Sequence, residues 1–521
     1  MTRLFHACKR LIILAVPVLT FLPVSGQSAG DELIFPDPSH KILVVKAVDS
    51  GSEMLTGRVL DDSDPLARMA LAELDFPFNR QMIRMSQCAR NLAGNQQGPN
   101  ILYLSGNEGG FPRTGIRLVG KDGRTTDYPH LAFVDLVLDS NRLARGDLSI
   151  YTHELGHVMM GLFLGDLLGR GTWNRSPKQH VSMGITDYPT AFSEGWGIHF
   201  QRLAFDRTEK YRLAFESRLR PSGYAGMAWH STLDEYLRLN LVRDDGYIYE
   251  KFHQQGPVTD TLGPEERILL EHTSPAFDHT RILNGQQMLS SEGVVATIFY
   301  QVDNDPVLAG HYEDPSFYRP YLLHPIPEGT RPEQIFTPVE NMMLKHFRVW
   351  SVMRDLPAGG SPVMAWLKVW CREFPADREE MIRLFIGITQ GSTVDDSLPA
   401  LAEELNYTGQ VGDYAGFVAQ MKRYQKSFSD LVGKCLEDID RIDNRVGPEL
   451  WVVSDRFHIR RSLFFPEPRT PLAVNLNTAG TAELEVMMGR EAAREFLQKR
   501  RESGFFTSLD QIERLGFRTG F

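Results

Sequence analysis

The pentapeptide His153-Glu-Leu-Gly-His157 sets two imidazoles four positions apart and puts a carboxylic acid directly after the first. On a helix that spacing brings His153 and His157 to one face about one turn apart, where both rings reach a single zinc ion (Zn2+). Glu154 then turns to the adjacent side, where a bound water would lie. A third candidate ligand, Glu194, stands in Ala191-Phe-Ser-Glu-Gly-Trp-Gly197, near the start of an apolar helix. It is far enough beyond His157 for the chain to leave the first helix, cross a loop and return. Other chemistries find less support. No G-x-S-x-G elbow occurs, and no cysteine has a nucleophile's context. Gly106-Asn-Glu-Gly-Gly110 lacks the lysine and the following helix of a phosphate cradle and reads as a turn. Asp61-Asp-Ser-Asp64 and Asp303-Asn-Asp305 read as solvated turns rather than calcium loops. Asn174-Arg-Ser and Asn406-Tyr-Thr match the glycosylation sequon.

For the two histidines to act together, residues 147–166 must be helical. Asp147 is the expected N-cap, and Leu148, Ile150, Leu155, Val158 and Met159 supply apolar anchoring on the rest of that helix. Upstream, residues 31–139 are strand-like, with apolar runs at 42–48, 101–104 and 131–138 between Gly- and Asp-rich turns. From residue 190 to about 459 helical periodicity takes over, clearest at 213–219, 342–352, 361–370 and 417–439. Strands first and helices after give an α+β order, not the βαβ alternation of a doubly wound sheet. We divide the chain into a strand-rich front carrying the zinc helices (31–200), a helical part of the catalytic region (201–460), a linker stiffened by Pro466, Pro468 and Pro471 (461–473), and a compact end module (474–521).

The chain has 521 residues, 42% of them hydrophobic, which is ample for buried cores and excludes disorder and collagen-like repeats. Its net charge of −10 argues against a protein that coats nucleic acid. Arg3, Lys9 and Arg10 precede an apolar run at 11–24 and then small or polar residues, the order of a secretory signal. Residues 1–29 are therefore expected to direct export, leaving a mature chain that is secreted or periplasmic. No later segment has the length and apolarity of a membrane span. Cys8 falls in the leader, and Cys88, Cys371 and Cys435 allow at most one internal disulfide.

The two motifs together resemble the gluzincin zinc metallopeptidases, in which HExxH is completed by a glutamate from a following helix. Ser193-Glu-Gly-Trp-Gly197 is similar to the glutamate helix of thermolysin-like and fungalysin-type members, and Ser291-Glu-Gly-Val-Val-Ala-Thr-Ile-Phe-Tyr300 to a further helix of their catalytic domains. The resemblance spans roughly residues 129–300. It implies a zincin-like catalytic domain with His153, His157 and Glu194 as zinc ligands and Glu154 as general base. The implied activity is peptide-bond hydrolysis, most simply by an endopeptidase, on a peptide or protein substrate. Three protein ligands leave a fourth position for water, whose pKa the metal lowers toward about 7, and Glu154 takes its proton and passes it to the leaving amine. Two features depart from the pattern. Ile198 stands four residues after Glu194, where those enzymes carry an orienting aspartate, and Asp187 is a candidate substitute. The histidine expected in the later helix to polarise the substrate carbonyl is absent, and Tyr300, His230, Tyr188 and His180 are candidate replacements.

Val474-Asn-Leu-Asn-Thr-Ala-Gly-Thr-Ala-Glu-Leu484 and Phe505-Phe-Thr-Ser-Leu-Asp-Gln-Ile512 resemble the helix-hairpin-helix of competence-type DNA receptors and minor pseudopilins. Thr478 and Thr481 are the N-cap candidates there. The G-I-G of DNA-binding hairpins is here Met487-Met488-Gly489, and from residue 483 to 518 seven basic side chains meet seven acidic ones. With no net basic footprint, a structural or protein-docking role is expected rather than nucleic-acid binding. The rival to a peptidase is an extracellular binding or scaffold protein with a vestigial or structural zinc site, tethered through this tail.

Overall fold

In the computed structural model, residues 30–37, 41–48, 54–94, 98–106, 110–169, 182, 184–219, 240–251, 263–273, 277–356, 360–459 and 469–517 are described. The leader with Cys8, the sequon at Asn174, the candidates His180 and His230, and residues 461–468 of the expected linker lie outside them.

The strand-like front folds into a closed five-stranded barrel. Strands β1 (Ile42–Ala47), β2 (Leu55–Val59), β3 (Asn100–Leu104), β4 (Phe111–Val119) and β5 (Thr125–Leu136) follow the order β1-β2-β4-β5-β3. The β1–β2 and β4–β5 pairs are antiparallel, whereas β1–β3, β2–β4 and β3–β5 are parallel. Val45, Ile101, Tyr103, Ile116, Leu118, Leu131 and Phe133 form the cluster it encloses. Parallel neighbours need a crossover, and two helices supply one between β2 and β3. Helix α1 (Pro65–Leu74) is capped by Asp64, which accepts from Leu66 N and Ala67 N, and α2 (Pro77–Ala93) ends at Gly94 in the left-handed region. The strand-like reading of residues 31–139 is thus corrected at 65–93. Buried polar residues of α2 hide its apolar period: Arg84 meets Glu340, Arg90 donates to the Ala132 carbonyl, and Asn91 donates to the carbonyls of Ile34 and Tyr321.

The histidine helix α3 (Ile150–Gly169) starts from a 3₁₀ turn at Asp147–Ser149. Gly146, with φ near +77°, is the cap of that turn, and Asp147 pairs with Arg145, so Asp147 is not the N-cap expected from the sequence. Helices α4 (Tyr188–Arg207) and α5 (Glu209–Leu219) follow, then β6 (Tyr249–Lys251), α6 (Pro264–Thr273), β7 (Phe277–Ile282), α7 (Gly285–Leu289) and α8 (Glu292–Asp303). The rear adds α9 (Pro338–Met353), α10 (Pro362–Glu373), α11 (Arg378–Thr389), α12 (Ser397–Val411) and α13 (Tyr414–Glu437). Pro338 and Pro362 open their helices in the first turn, where the missing N–H costs nothing.

Helices α3, α4 and α8 cross at glycines. A Cβ on Gly156 would stand 2.8 Å from the Phe200 ring, and one on Gly195 would stand 2.8 Å from Val295. One hydrophobic core runs from Ile34 to Ile442 and includes the fully buried Trp196, Trp350, Trp366 and Trp370. The division drawn at residue 200 falls inside α4, within that single core. The architecture is α+β.

The tail begins earlier than the sequence indicates. Strands β8 (Trp451–Ile459) and β9 (Thr470–Asn475) pair antiparallel, so the Pro-rich segment joins two strands of one hairpin instead of two separate bodies. Helices α14 (Thr481–Met488) and α15 (Arg490–Ser503) meet through Gly489, and α16 (Leu509–Arg514) closes the unit. Gly480, not Thr478 or Thr481, caps α14. A second core built on Val452, Leu472, Val474, Leu484, Phe496 and Phe506 also takes in Ile268 of α6. Among the described residues no helix is long and apolar enough to cross a membrane. Cys88, Cys371 and Cys435 are buried free thiols.

Candidate metal centre

Because α3 and α4 pack closely, the two motifs meet. His153 Nε2 and His157 Nε2 are 3.1 Å apart, and Glu194 Oε2 lies 3.5 Å from the first and 3.7 Å from the second. Among the described residues this is the one group of three metal-ligating side chains whose donor atoms converge within 4.8 Å. A tetrahedral zinc ion with bonds of about 2.0–2.1 Å has donor-to-donor edges of roughly 3.3–3.4 Å. The three separations bracket that edge, and two imidazole nitrogens with one carboxylate oxygen are the donor set of a three-ligand catalytic zinc site. His153 and the adjoining Glu154 are buried to the same degree, whereas the Glu194 side chain keeps 21% of its exposure, so the group opens to solvent on the Glu194 side.

The helix that brings Glu194 also shapes the pocket wall. A Cβ on Gly197 would fall 2.7 Å from His153 Nε2, so only glycine lets the imidazole lie against α4 at that point. Ser193 Oγ lies 3.3 Å from His157 Nδ1. If a metal took the Nε2 lone pair, Nδ1 would carry the proton and donate to the hydroxyl, and this contact would fix the tautomer. Ser193 immediately precedes Glu194, where the sequence leads one to look for a carboxylate or a carbonyl rather than a hydroxyl.

The remaining candidates are engaged elsewhere. Asp187 caps α4, accepting from Thr190 N at 2.8 Å and Thr190 Oγ1 at 3.0 Å. Ile198 is buried in the core. The Tyr188 hydroxyl donates to the Gly447 carbonyl at 2.9 Å. The Tyr300 hydroxyl donates to Asp206 Oδ2 at 2.8 Å, and Asp206 stands twelve positions after Glu194, about 18 Å along the helix.

A little over one turn beyond Glu194 lies a network that no sequence motif marks. His199 Nδ1 faces the Trp196 carbonyl, and its Nε2 lies 3.1 Å from Asp303 Oδ2. Asp303 Oδ1 lies 2.8 Å from His346 Nε2, and Trp366 Nε1 donates to His346 Nδ1 at 3.1 Å. The side chains of His199, Asp303 and His346 are fully buried. Asp303, read from the sequence as part of a solvated turn, is instead the centre of this network. His346 must donate through Nε2, since its other nitrogen accepts. Both nitrogens of His199 face acceptors, so its two hydrogen bonds need a proton on each nitrogen or one on Asp303. Burial takes the His199 pKa below its ordinary value, outweighing the pull of Asp303 in the other direction. Burial works to raise the Asp303 carboxyl, but His346 and His199 hold it well below the ordinary range. The network ties α4 to α8, α9 and α10 directly behind the donor cluster. No protein-family model, curated protein or solved structure matches the chain at a significant level.

Proposed function

We propose that the chain is an exported, zinc-dependent metallopeptidase with zincin-like catalytic helices, similar to gluzincins. The observation that carries this reading is the convergence of His153, His157 and Glu194 from two helices at tetrahedral spacing, with Glu154 next to the first ligand. A zinc ion held there would supply Lewis acidity and an acidified water. Glu154 takes a proton from the attacking water on its carboxylate and delivers it to the nitrogen of the departing amine, so no covalent enzyme intermediate forms. Ser193 holds the His157 ring, and Gly197 leaves space for the His153 ring. The substrate is a peptide or protein. The tail, similar to a helix-hairpin-helix, has a structural or docking role.

The test is to measure bound zinc and the cleavage of unfolded proteins by the wild type and by Glu154→Gln. Removing the proton carrier while keeping all three ligands should leave zinc stoichiometry unchanged and lower the cleavage rate by about 10²-fold or more. Equal rates would remove Glu154 from the chemistry. Bound zinc with no cleavage by the wild type would support the scaffold protein instead.

A further inference from the structure

Helices α12 and α13 form a hairpin whose outer end is unlike the rest of the surface. Tyr414 (73% exposed), Tyr407 (58%), Val411 (57%) and Val418 (55%) are the four most exposed large apolar side chains among the described residues, and all lie within this one turn of chain. Tyr407 and Val411 are spaced i, i+4 on α12, and Tyr414 and Val418 repeat that spacing on α13. Gly412 ends the first helix in the left-handed region, and Asp413 caps the second by accepting from Gly416 N. From residue 406 to 421 Asp413 is the only charged residue. The buried residues of α13 are confined to its last two turns, at Leu431, Val432 and Cys435, so the tip stands away from the core. Solubility alone would not leave such a cluster bare.

Behind the tip the row turns cationic. Exposed Lys422 and Lys426 continue the i, i+4 row of Tyr414 and Val418 toward the body, while Arg423 is paired with Glu404 at 3.4 Å. A tip with two tyrosines, whose one charged side chain, Asp413, is engaged in capping α13, is backed about 12–18 Å along the helix by lysines on the same row and has the layering of an acyl boundary below anionic headgroups. We infer that this tip docks the protein on an anionic lipid surface, with Tyr407, Val411, Tyr414 and Val418 entering the interface and Lys422 and Lys426 meeting the headgroups. This role is independent of the metal centre.

The test compares variants of the full chain in co-sedimentation with phosphatidylcholine vesicles, with and without phosphatidylglycerol. Wild type should bind the phosphatidylglycerol vesicles, and both Tyr414→Ser/Val418→Ser and Lys422→Glu/Lys426→Glu should bind at least about tenfold more weakly. A polarity-sensitive fluorophore on Val418→Cys, in a Cys8→Ser background, reads the tip itself and should shift to the blue on adding those vesicles. All substituted residues are exposed, so circular dichroism should be unchanged. Equal binding by wild type and variants, no fluorophore shift, or a wild-type dimer in sedimentation velocity that Tyr414→Ser/Val418→Ser breaks would overturn the inference, the last by showing that the tip meets a second copy.

Discussion

Gly197 and Ser193 bracket Glu194 and make different contacts with the two histidines. At Gly197 the constraint is steric, because a methyl group would sit 2.7 Å from His153 Nε2, and neither the helix backbone nor the ligand can give way cheaply. Gly197→Ala should therefore weaken zinc binding by more than tenfold, measured by competition with a chromogenic chelator. At Ser193 the constraint is orientational. Ser193→Ala removes the acceptor for His157 Nδ1 and should cost about tenfold in zinc affinity, the lower end for groups that orient a metal-bound histidine. Thermal stability without metal should hardly change in Ser193→Ala, which separates an effect on the ring from an effect on the fold. Unchanged zinc affinity in both variants would mean that these side chains do not line a metal site. The histidine pair was legible because helical spacing alone puts His153 and His157 together, whereas Glu194 rested on the separate motif Ala191–Gly197 and on the resemblance it carries. Asp303 was not legible, since an acidic residue beside Asn304 and Asp305 looks like a turn until its two buried histidine partners are seen.

Helix α4 carries both Glu194 and His199, so the hold on its first turn matters to everything behind it. Asp187 caps it, and Glu449 Oε1 accepts from Tyr188 N at 3.0 Å. Burial, and then the nearby Asp187 carboxylate, push the Glu449 carboxyl up to about 8. A carboxyl raised on folding favours the folded state fully below its ordinary value near 4.5, and that contribution is lost as pH rises through 8. Glu449→Gln keeps an oxygen acceptor for Tyr188 and cannot ionise. Its Tm should therefore match wild type near pH 5 and exceed it by a few degrees near pH 9, with chelator present so that the histidine ligands do not contribute. A variant that gains nothing at the higher pH would place the negative charge elsewhere. At this scale the sequence was readable where apolar residues dominate. Strands β1, β3 and β5 come from apolar runs, β3 being buried along its whole length, and helices α9, α10 and α13 follow a 3.6-residue period. Helix α2 escaped detection because Arg84, Arg90 and Asn91 are buried with specific partners, and no periodic pattern marks a polar residue that is inside.

In the whole molecule the tail is a brace where the sequence pointed to an appendage. Its Asn477 side chain donates to the carbonyls of Pro448 and Phe506, both at 2.9 Å, joining the chain before β8 to the segment after α15. Gln287 of α7 donates to the Thr478 carbonyl, Arg267 of α6 pairs with Glu485 at 2.6 Å, and Ala482 N donates to Glu271. Helix α7 runs almost directly into α8, which packs on α4 through Gly195, so these contacts lie on a continuous path to Glu194. The Pro-rich stretch looked like a linker because clustered prolines stiffen a chain, yet Pro471 lies in β9 opposite His458, where a strand of a two-stranded sheet tolerates it. Ending the chain at residue 473 would keep β8 but strip its partners Leu484, Phe496 and Phe506 from the second core and expose Val452, Leu472 and Ile268. A tether could be cut there without loss. A brace could not, and the truncated chain should melt at least about 5 °C lower, since large apolar side chains worth about 1.5–3 kcal/mol each lose their cover, and it should bind zinc more weakly. Matching Tm and zinc affinity in the two chains would restore the tail as an independent module and break the path drawn from it to the metal ligands.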